Sequence, residues 1–262
     1  MDKYDLCVIG AGPSGYAAAM RAIDFGKKVI LIEKDKIGGA GLYNGVLTSK
    51  TMWELSQKVR TVNKTIVSSG RSKFDLSWEQ VKQTMNEAVF DRKFQYSCHI
   101  KLLQSNELNR IFKYERGFAS FVDNHIVKIQ KSNGKIKEIY ADNIIIAIGS
   151  TPRHLPNIIV DEKIILTSNG VDSINDFPKS MVIVGAGVIG CEYATMFSNF
   201  GKTKIYLIDR ADKILPFEDE DISKLIGKNL IDNGVTIHQN AQLERLEVKD
   251  GEVEYELSYG DG

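Results

Sequence analysis

Two stretches of the chain show the same order of hydrophobic and polar positions. Residues 5–34 and 181–210 each begin with a short apolar run, which is typical of a strand buried on both faces. A glycine-rich turn follows, then a segment of helical periodicity that ends in Phe-Gly, and then a second apolar strand that ends in an acidic residue. This order predicts two β-α-β units, each with parallel strands.

The pattern between the two units predicts more helices and strands. Helical periodicity covers residues 48–67 and 78–104. Alternating apolar and polar positions indicate strands within 112–130, with a turn at Asp123-Asn124, and within 135–148. Residues 150–157 have the composition of a loop and hold two of the five prolines, so we expect a domain boundary there.

After the second unit the chain returns to a helical pattern and then to an alternating one. Residues 219–233 are predicted as a helix, and 234–240 as a strand. The alternation over 246–262 predicts a hairpin, and Gly260-Asp261-Gly262 has the composition of a turn.

The two glycine-rich turns have the spacing of a dinucleotide-binding fingerprint. Their glycines are Gly10, Gly12 and Gly15 in the first turn, and Gly185, Gly187 and Gly190 in the second. In this motif the glycines permit a tight turn, close approach of the backbone to a pyrophosphate, and close packing of helix on strand. The phosphates lie at the helix N-terminus, where free N–H groups favour an anion. The acid that ends the second strand, Glu33 or Asp209, accepts hydrogen bonds from a ribose. We therefore expect two bound dinucleotides.

Composition excludes several other classes of protein. The 262 residues carry a formal net charge of zero, which argues against nucleic-acid binding. No run of apolar residues is long enough to span a membrane, and the first ten residues lack the features of a signal peptide, so we expect a cytoplasmic protein. The three cysteines form no CxxC pair, and the four histidines show no metal-ligand spacing, so no metal site is expected.

Together these features resemble the pyridine nucleotide–disulfide oxidoreductases, and the resemblance covers the whole chain. The segments that carry it are 10–15 with Glu33, Gly38-Gly39, Ser49-Lys50, 117–121, 144–152 and 185–194. The resemblance implies an α/β fold of two Rossmann-like, three-layer domains, with parallel sheets, helices and an antiparallel β-meander crossover. It implies a FAD-binding domain at 1–151 and an NAD(P)-binding domain at 152–262, both incomplete.

The same resemblance assigns residues to the two cofactors. FAD would be held by Gly10, Gly12, Pro13, Ser14, Gly15, Glu33, Lys34, Gly39, Ala40, Lys50, Phe118, Ala119, Ala147, Ile148 and Gly149, and NAD(P) by Gly185, Gly187, Val188, Ile189, Glu192, Asp209 and Arg210. Lys50 and Glu192 are also the expected catalytic residues, because the family pairs such a lysine and glutamate beside the flavin. The carboxylate of Asp209 favours NAD over NADP, but the neighbouring Arg210 leaves NADP open.

The chain departs from the family at the redox centre. Where the family has Cys-x-x-x-x-Cys, this sequence has Gly41 and Val46, so neither thiolate of the expected pair is present. We therefore expect an oxidoreductase that passes hydride between a nicotinamide and FAD and then delivers electrons to a small-molecule acceptor. Two alternatives remain: a dihydrolipoamide dehydrogenase by family label that has lost disulfide activity, and a nucleotide-binding pseudo-enzyme.

The family pattern also continues beyond residue 262. Its later parts include a second flavin-binding motif and an interface domain through which the family forms homodimers. We therefore expect a fragment of a longer, homodimeric protein, with no nucleic-acid or membrane partner.

Overall fold

The computed structural model describes residues 1–43, 45–156 and 158–260. Their contacts divide the chain into two compact units. The first contains Met1–Thr48 and Asn86–Thr151, and the second contains 49–85 and the described part of 152–262. The expected turn at Gly260-Asp261-Gly262 and the last residue of the expected loop, Asn157, extend outside the described residues.

The first unit is built on a six-stranded sheet of order β3-β2-β1-β6-β5-β4. Its strands are β1 (Asp2–Ile9), β2 (Val29–Glu33), β3 (Phe112–Arg116), β4 (Phe118–Phe121), β5 (Ile126–Gln130) and β6 (Ile136–Ile146). The neighbouring strands β3, β2, β1 and β6 run parallel to one another, and β6, β5 and β4 form an antiparallel meander. Every residue of β2 is buried, as the uninterrupted apolar run predicted.

Four α-helices begin in the first half of the part of the chain that the structure describes. They are α1 (Pro13–Asp24), α2 (Gly39–Tyr43), α3 (Val46–Ser68) and α4 (Trp78–Gln104). A short 3-10 helix at Asn106–Arg110 leads into β3. The helix predicted over 48–67 begins two residues earlier than expected, and the helix predicted over 78–104 has those bounds.

The second unit repeats the β-α-β order of the first. Its parallel sheet has the order β7-β8-β9, formed by β7 (Ser180–Val184), β8 (Lys204–Ile208) and β9 (Thr236–His238). Helices α5 (Val188–Phe200) and α6 (Glu220–Asp232) connect these strands, and a 3-10 turn at Val171–Ser173 precedes them. Strands β10 (Ala241–Lys249) and β11 (Glu252–Tyr259) form the expected hairpin, whose turn has positive φ at Asp250 and Gly251.

The units differ from the predicted domains in the placement of residues 49–85, which pack with the second unit and not with the first. The reason is a shared core: Met52, Trp78 and Val81 lie in one buried cluster with residues of α5. The Trp78 ring stacks on Phe197 with centroids 5.8 Å apart, and its Nε1 donates a hydrogen bond of 2.6 Å to the carbonyl oxygen of Ile174. The chain passes from the first unit to the second for the last time after residue 151.

The fold class is as predicted: a mixed α/β protein with parallel sheets, helices and an antiparallel meander. None of the helices in the described residues combines the length and the apolar character needed to cross a membrane.

Candidate dinucleotide-binding sites

The first glycine turn connects β1 to α1, and its glycines are required by close contacts. Gly10 has φ of +102°, and a Cβ there would overlap the carbonyl oxygen of Ala147. A Cβ on Gly15 would overlap the carbonyl oxygen of Gly10. A Cβ on Gly12 would meet nothing within 4 Å, so open space lies beside this part of the turn. That arrangement fits the approach of a pyrophosphate to the backbone.

The second glycine turn connects β7 to α5 in the same way. Gly185 has φ of +104°, and a Cβ on Gly190 would overlap the carbonyl oxygen of Gly185. Open space again lies beside the middle glycine, because a Cβ on Gly187 would meet nothing within 4 Å. Val188 and Ile189 are more than half exposed at the start of α5, next to this space.

The N-termini of α1 and α5 keep donors for an anion. Among the described residues, no side chain caps either helix, and the N-cap residues are Gly12 and Gly187. In contrast, the N-cap residue of α6, Asp219, accepts hydrogen bonds from the backbone N–H groups of Asp221 and Ile222. The two uncapped helices therefore fit phosphate binding through their free N–H groups. Pro13 occupies the first turn of α1 and has no N–H, so the donors there begin with Ser14.

The acids predicted to bind ribose also bind the glycine turns. Glu33 is buried, and its Oε2 accepts a hydrogen bond of 2.7 Å from the backbone N–H of Ala11. Asp209 accepts an equivalent bond of 2.5 Å from the N–H of Ala186. Glu33 is the last residue of β2 and Asp209 directly follows β8, and no sequence pattern indicated this second contact.

The other predicted FAD residues belong to the first unit, with one exception. Gly39 lies in α2, where a Cβ would come within 3.3 Å of the Cα of Gly12. Ala147 follows β6, and its N–H bonds the carbonyl oxygen of Ile9 at 2.8 Å. Lys34, Ala40, Phe118, Ala119, Ile148 and Gly149 also belong to the first unit. The exception is Lys50, which groups with the second unit.

Lys50 and Glu192 form an ion pair within the second unit. The Nζ of Lys50, on α3, lies 2.5 Å from Oε1 of Glu192, on α5. The lysine side chain is 55% exposed and the glutamate side chain 29%, so the pair is reachable by a ligand. The predicted pairing of these two residues, 142 positions apart in sequence, is present in the structure.

A cavity of about 520 Å³, which the sequence did not indicate, lies next to this pair. It is formed within the second unit by α3, α5, α6 and the segment before α6. Its lining includes Trp53, Arg60, Glu192 and Glu218. A cavity between helices depends on side chains from distant segments, so periodicity in any one segment does not reveal it.

Gly41 and Val46, which the resemblance places at the family's redox centre, carry no thiol. A Cβ on Gly41 would overlap the ring of Pro13, and Val46 is the first residue of α3, with its side chain exposed. Burial raises the pKa of Cys7 to about 12 and that of Cys191 to about 11. Cys98 is exposed on α4, and all three cysteines are unpaired with one another.

Comparisons with known proteins identify the family of this chain. The sequence profile of the family described as pyridine nucleotide-disulphide oxidoreductase matches residues 4–262. A dihydrolipoyl dehydrogenase of Bacillus subtilis (strain 168) is 35% identical over 248 residues, which cover 92% of this chain and 52% of that protein. A soluble pyridine nucleotide transhydrogenase of Azotobacter vinelandii is 31% identical over 259 residues, which cover 98% of this chain and 54% of the other.

A solved structure shows the same fold. The Cu(II) complex of the HOCl-induced flavoprotein disulfide reductase RclA from Escherichia coli matches with a TM-score of 0.77 and 27% identity. The match covers 98% of this chain and 53% of that one, so the chain spans about half the length of these relatives. The predicted cofactors, FAD and NAD(P), are those of the family, and the names of the transhydrogenase and of RclA specify a pyridine nucleotide and a flavoprotein. The chain therefore belongs to the pyridine nucleotide-disulphide oxidoreductase family.

Proposed function

We propose that this protein is a FAD-dependent NAD(P)H oxidoreductase that works without a redox disulfide. The observation that carries the proposal is the chemistry at positions 41 and 46. Glycine and valine supply no thiolate, and the ring of Pro13 fills the space that a side chain at position 41 would need. Electrons therefore reach a small-molecule acceptor, such as a second nicotinamide, a quinone or a dye, and not a disulfide substrate.

The first glycine turn is the proposed FAD site, and the second the proposed NAD(P) site. Ser14, Gly15 and the uncapped start of α1 would bind the diphosphate of FAD, and Glu33 its adenosine ribose. Bound FAD would supply a two-electron carrier that exchanges hydride with a nicotinamide. At the second turn, the start of α5 would bind the other diphosphate, and Asp209 would accept hydrogen bonds from a ribose 2′-OH.

Lys50 and Glu192 are the proposed catalytic residues. The carboxylate of Glu192 fixes the position of the Lys50 ammonium group at 2.5 Å. A cation held in a fixed position stabilises negative charge that develops during hydride transfer without reorganising at that moment. Glu192 also lines the cavity of the second unit, so a ligand in that cavity would lie beside the pair.

The choice of nicotinamide follows from Asp209. Its carboxylate would repel a 2′-phosphate, so we propose NADH as the preferred donor. Arg210 is exposed and adjacent, which keeps NADPH within reach as the weaker donor.

The test compares electron acceptors with purified, FAD-loaded protein. We expect NADH-dependent reduction of a quinone, a dye or a nicotinamide analogue, and no NADH-dependent reduction of lipoamide. Turnover of lipoamide at a rate comparable with the other acceptors would overturn the proposal, because it requires a dithiol relay. Dinucleotide binding without turnover of any acceptor would also overturn it and would favour a non-catalytic nucleotide-binding protein.

A further inference from the structure

Ala11 lies between the first two glycines of the first turn, and both its backbone N–H and its backbone carbonyl oxygen form hydrogen bonds. The N–H of Ala11 donates to Oε2 of Glu33 at 2.7 Å. Its carbonyl oxygen accepts a bond of 2.8 Å from the N–H of Gly38, which has φ of +96°. Ala11 is fully buried, so its backbone N–H and carbonyl oxygen depend on these protein partners and not on water at the surface.

The second turn is held by the same two contacts. The N–H of Ala186 donates to Oδ2 of Asp209 at 2.5 Å. Its carbonyl oxygen accepts a bond of 2.8 Å from the N–H of Leu215, which has φ of +49°. A positive φ at a non-glycine residue is uncommon, so the fold maintains this contact against a local backbone cost.

Each acid also binds the chain that follows its own strand. The second oxygen of Glu33 accepts a bond of 2.8 Å from the N–H of Asp35, and that of Asp209 a bond of 2.9 Å from the N–H of Ala211. Each carboxylate thus joins the glycine turn to the start of the loop beyond the strand. A carboxylate has about four lone-pair positions, so two backbone contacts leave room for ribose hydroxyls.

We infer that Glu33 and Asp209 are positioning residues that hold the two glycine turns in their binding geometry before a dinucleotide arrives. We call each set of contacts, acid to alanine N–H and loop N–H to alanine carbonyl, a turn clamp. Hydrogen bonds from N–H groups to a carboxylate are stronger than neutral ones. A turn fixed in advance does not have to be ordered on binding, so affinity rises without a new contact to the ligand. The inference rests on the proposed function, since it takes the turns as dinucleotide sites.

The first test reads the clamp in the ligand-free protein by amide hydrogen exchange. E33A should speed exchange at Ala11, and D209A at Ala186, by at least about tenfold, because each amide loses a charged acceptor. Exchange in the adjoining strands, at Val8 and Val182, should stay unchanged. Unchanged protection at Ala11 and Ala186 in folded variants would overturn the clamp.

Matched control variants distinguish loss of the clamp from the general effect of removing a buried or hydrogen-bonded carboxylate. E115Q alters a buried acid of the first unit that pairs with Lys131, and E162Q alters an acid of the second unit that accepts from the N–H of Thr167. Neither should change exchange at the two alanines.

E33Q keeps one acceptor oxygen and the same shape, so it replaces E33A as the test variant if E33A does not fold. It should speed exchange at Ala11 or at Asp35, because only one of these amides can keep its acceptor oxygen.

The second test separates the clamp from the ribose contact. Binding of FAD and of an FAD analogue with 2′,3′-dideoxyadenosine is measured for the unaltered protein and for E33A. The clamp predicts that E33A weakens both ligands, by at least about tenfold for the analogue. If the loss disappears with the analogue, Glu33 acts through ribose alone and the clamp is wrong.

The same comparison for D209A uses NADH and its dideoxyadenosine analogue. Failure of the unaltered protein to bind either dinucleotide would contradict the proposed function, and hydrogen exchange would still decide the clamp.

Discussion

At the scale of single residues, the proposed chemistry depends on two positions at which the chain departs from the family pattern. By the resemblance, Gly41 and Val46 occupy the positions at which the family has its redox cysteines, and this assignment needed the sequence alone. The contact between position 41 and Pro13 could not be predicted, because it depends on how α2 lies against the glycine turn. The sequence shows that these two positions carry no thiol, and the structure adds that a side chain at position 41 would overlap Pro13.

The first prediction concerns restoration of the cysteine pair. G41C/V46C should be destabilised by about 1–3 kcal/mol, because the new Cβ at position 41 overlaps a proline ring. V46C alone should be close to neutral, since Val46 is 59% exposed. Urea unfolding measures both, and P13A should restore stability to G41C/V46C by opening the space. A fully stable G41C/V46C protein would show that the contact with Pro13 is not limiting.

The second prediction concerns the ion pair. K50M and E192Q should each slow the reduction of bound FAD by NADH by about tenfold to hundredfold, because K50M removes the fixed cation and E192Q removes the carboxylate that holds it in position. The double variant should be little slower than K50M, since the two residues act as a unit. Stopped-flow absorbance at saturating NADH gives the rates. Rates equal to those of the unaltered protein would show that Lys50 and Glu192 do not take part in hydride transfer.

The third prediction uses the cysteines as reporters. Near pH 8, only Cys98 should react quickly with an aromatic disulfide reagent. Burial raises the pKa of Cys7 to about 12 and of Cys191 to about 11, so both remain protonated thiols until far above that pH. One fast-reacting thiol per folded chain, and three in denaturant, is the expected count. C98S should abolish the fast phase, and two fast thiols would contradict the burial of Cys7 and Cys191.

At the scale of elements, periodicity predicted which segments form helices and strands but not which unit each helix packs with. The β-α-β units were predictable because apolar runs, glycine spacing and terminal acids all indicate the same structure. Helix α3 and the first turns of α4 were also predicted as helices, yet they pack with the second unit. An amphipathic pattern shows which face of a helix is buried and leaves the partner undefined, so the sequence could not assign residues 49–85.

The fourth prediction tests that packing through Trp78. W78F should lower the free energy of unfolding by about 1–2 kcal/mol, since the carbonyl oxygen of Ile174 loses its donor while most of the apolar contact with Phe197 remains. W78A should cost about 3–5 kcal/mol, because it also leaves a cavity. The control is F217L, since Phe217 is 99% exposed in the same unit. Equal stability of W78A and F217L in urea would contradict the shared core.

At the scale of the whole molecule, the chain contains one β-α-β plan, with a glycine turn after its first strand, in two copies. In the first unit β1 pairs on both sides, with β2 and β6, and in the second β7 pairs with β8 among the described strands. Each copy brings together a strand end, an uncapped helix start and an acid that holds the turn. The internal repeat predicted both glycine turns, whereas the cavity beside Glu192 and the loop contacts of Gly38 and Leu215 required the folded chain.

The central claim is hydride exchange between a nicotinamide and FAD without a sulfur relay. Anaerobic titration of the FAD-loaded protein with NADH tests it most directly, when flavin absorbance and free thiols are followed together. The account predicts complete loss of the visible flavin band after one equivalent of NADH per flavin, with no change in the number of thiols. Uptake of a second equivalent with the appearance of new thiols, or an unchanged flavin band, would contradict it.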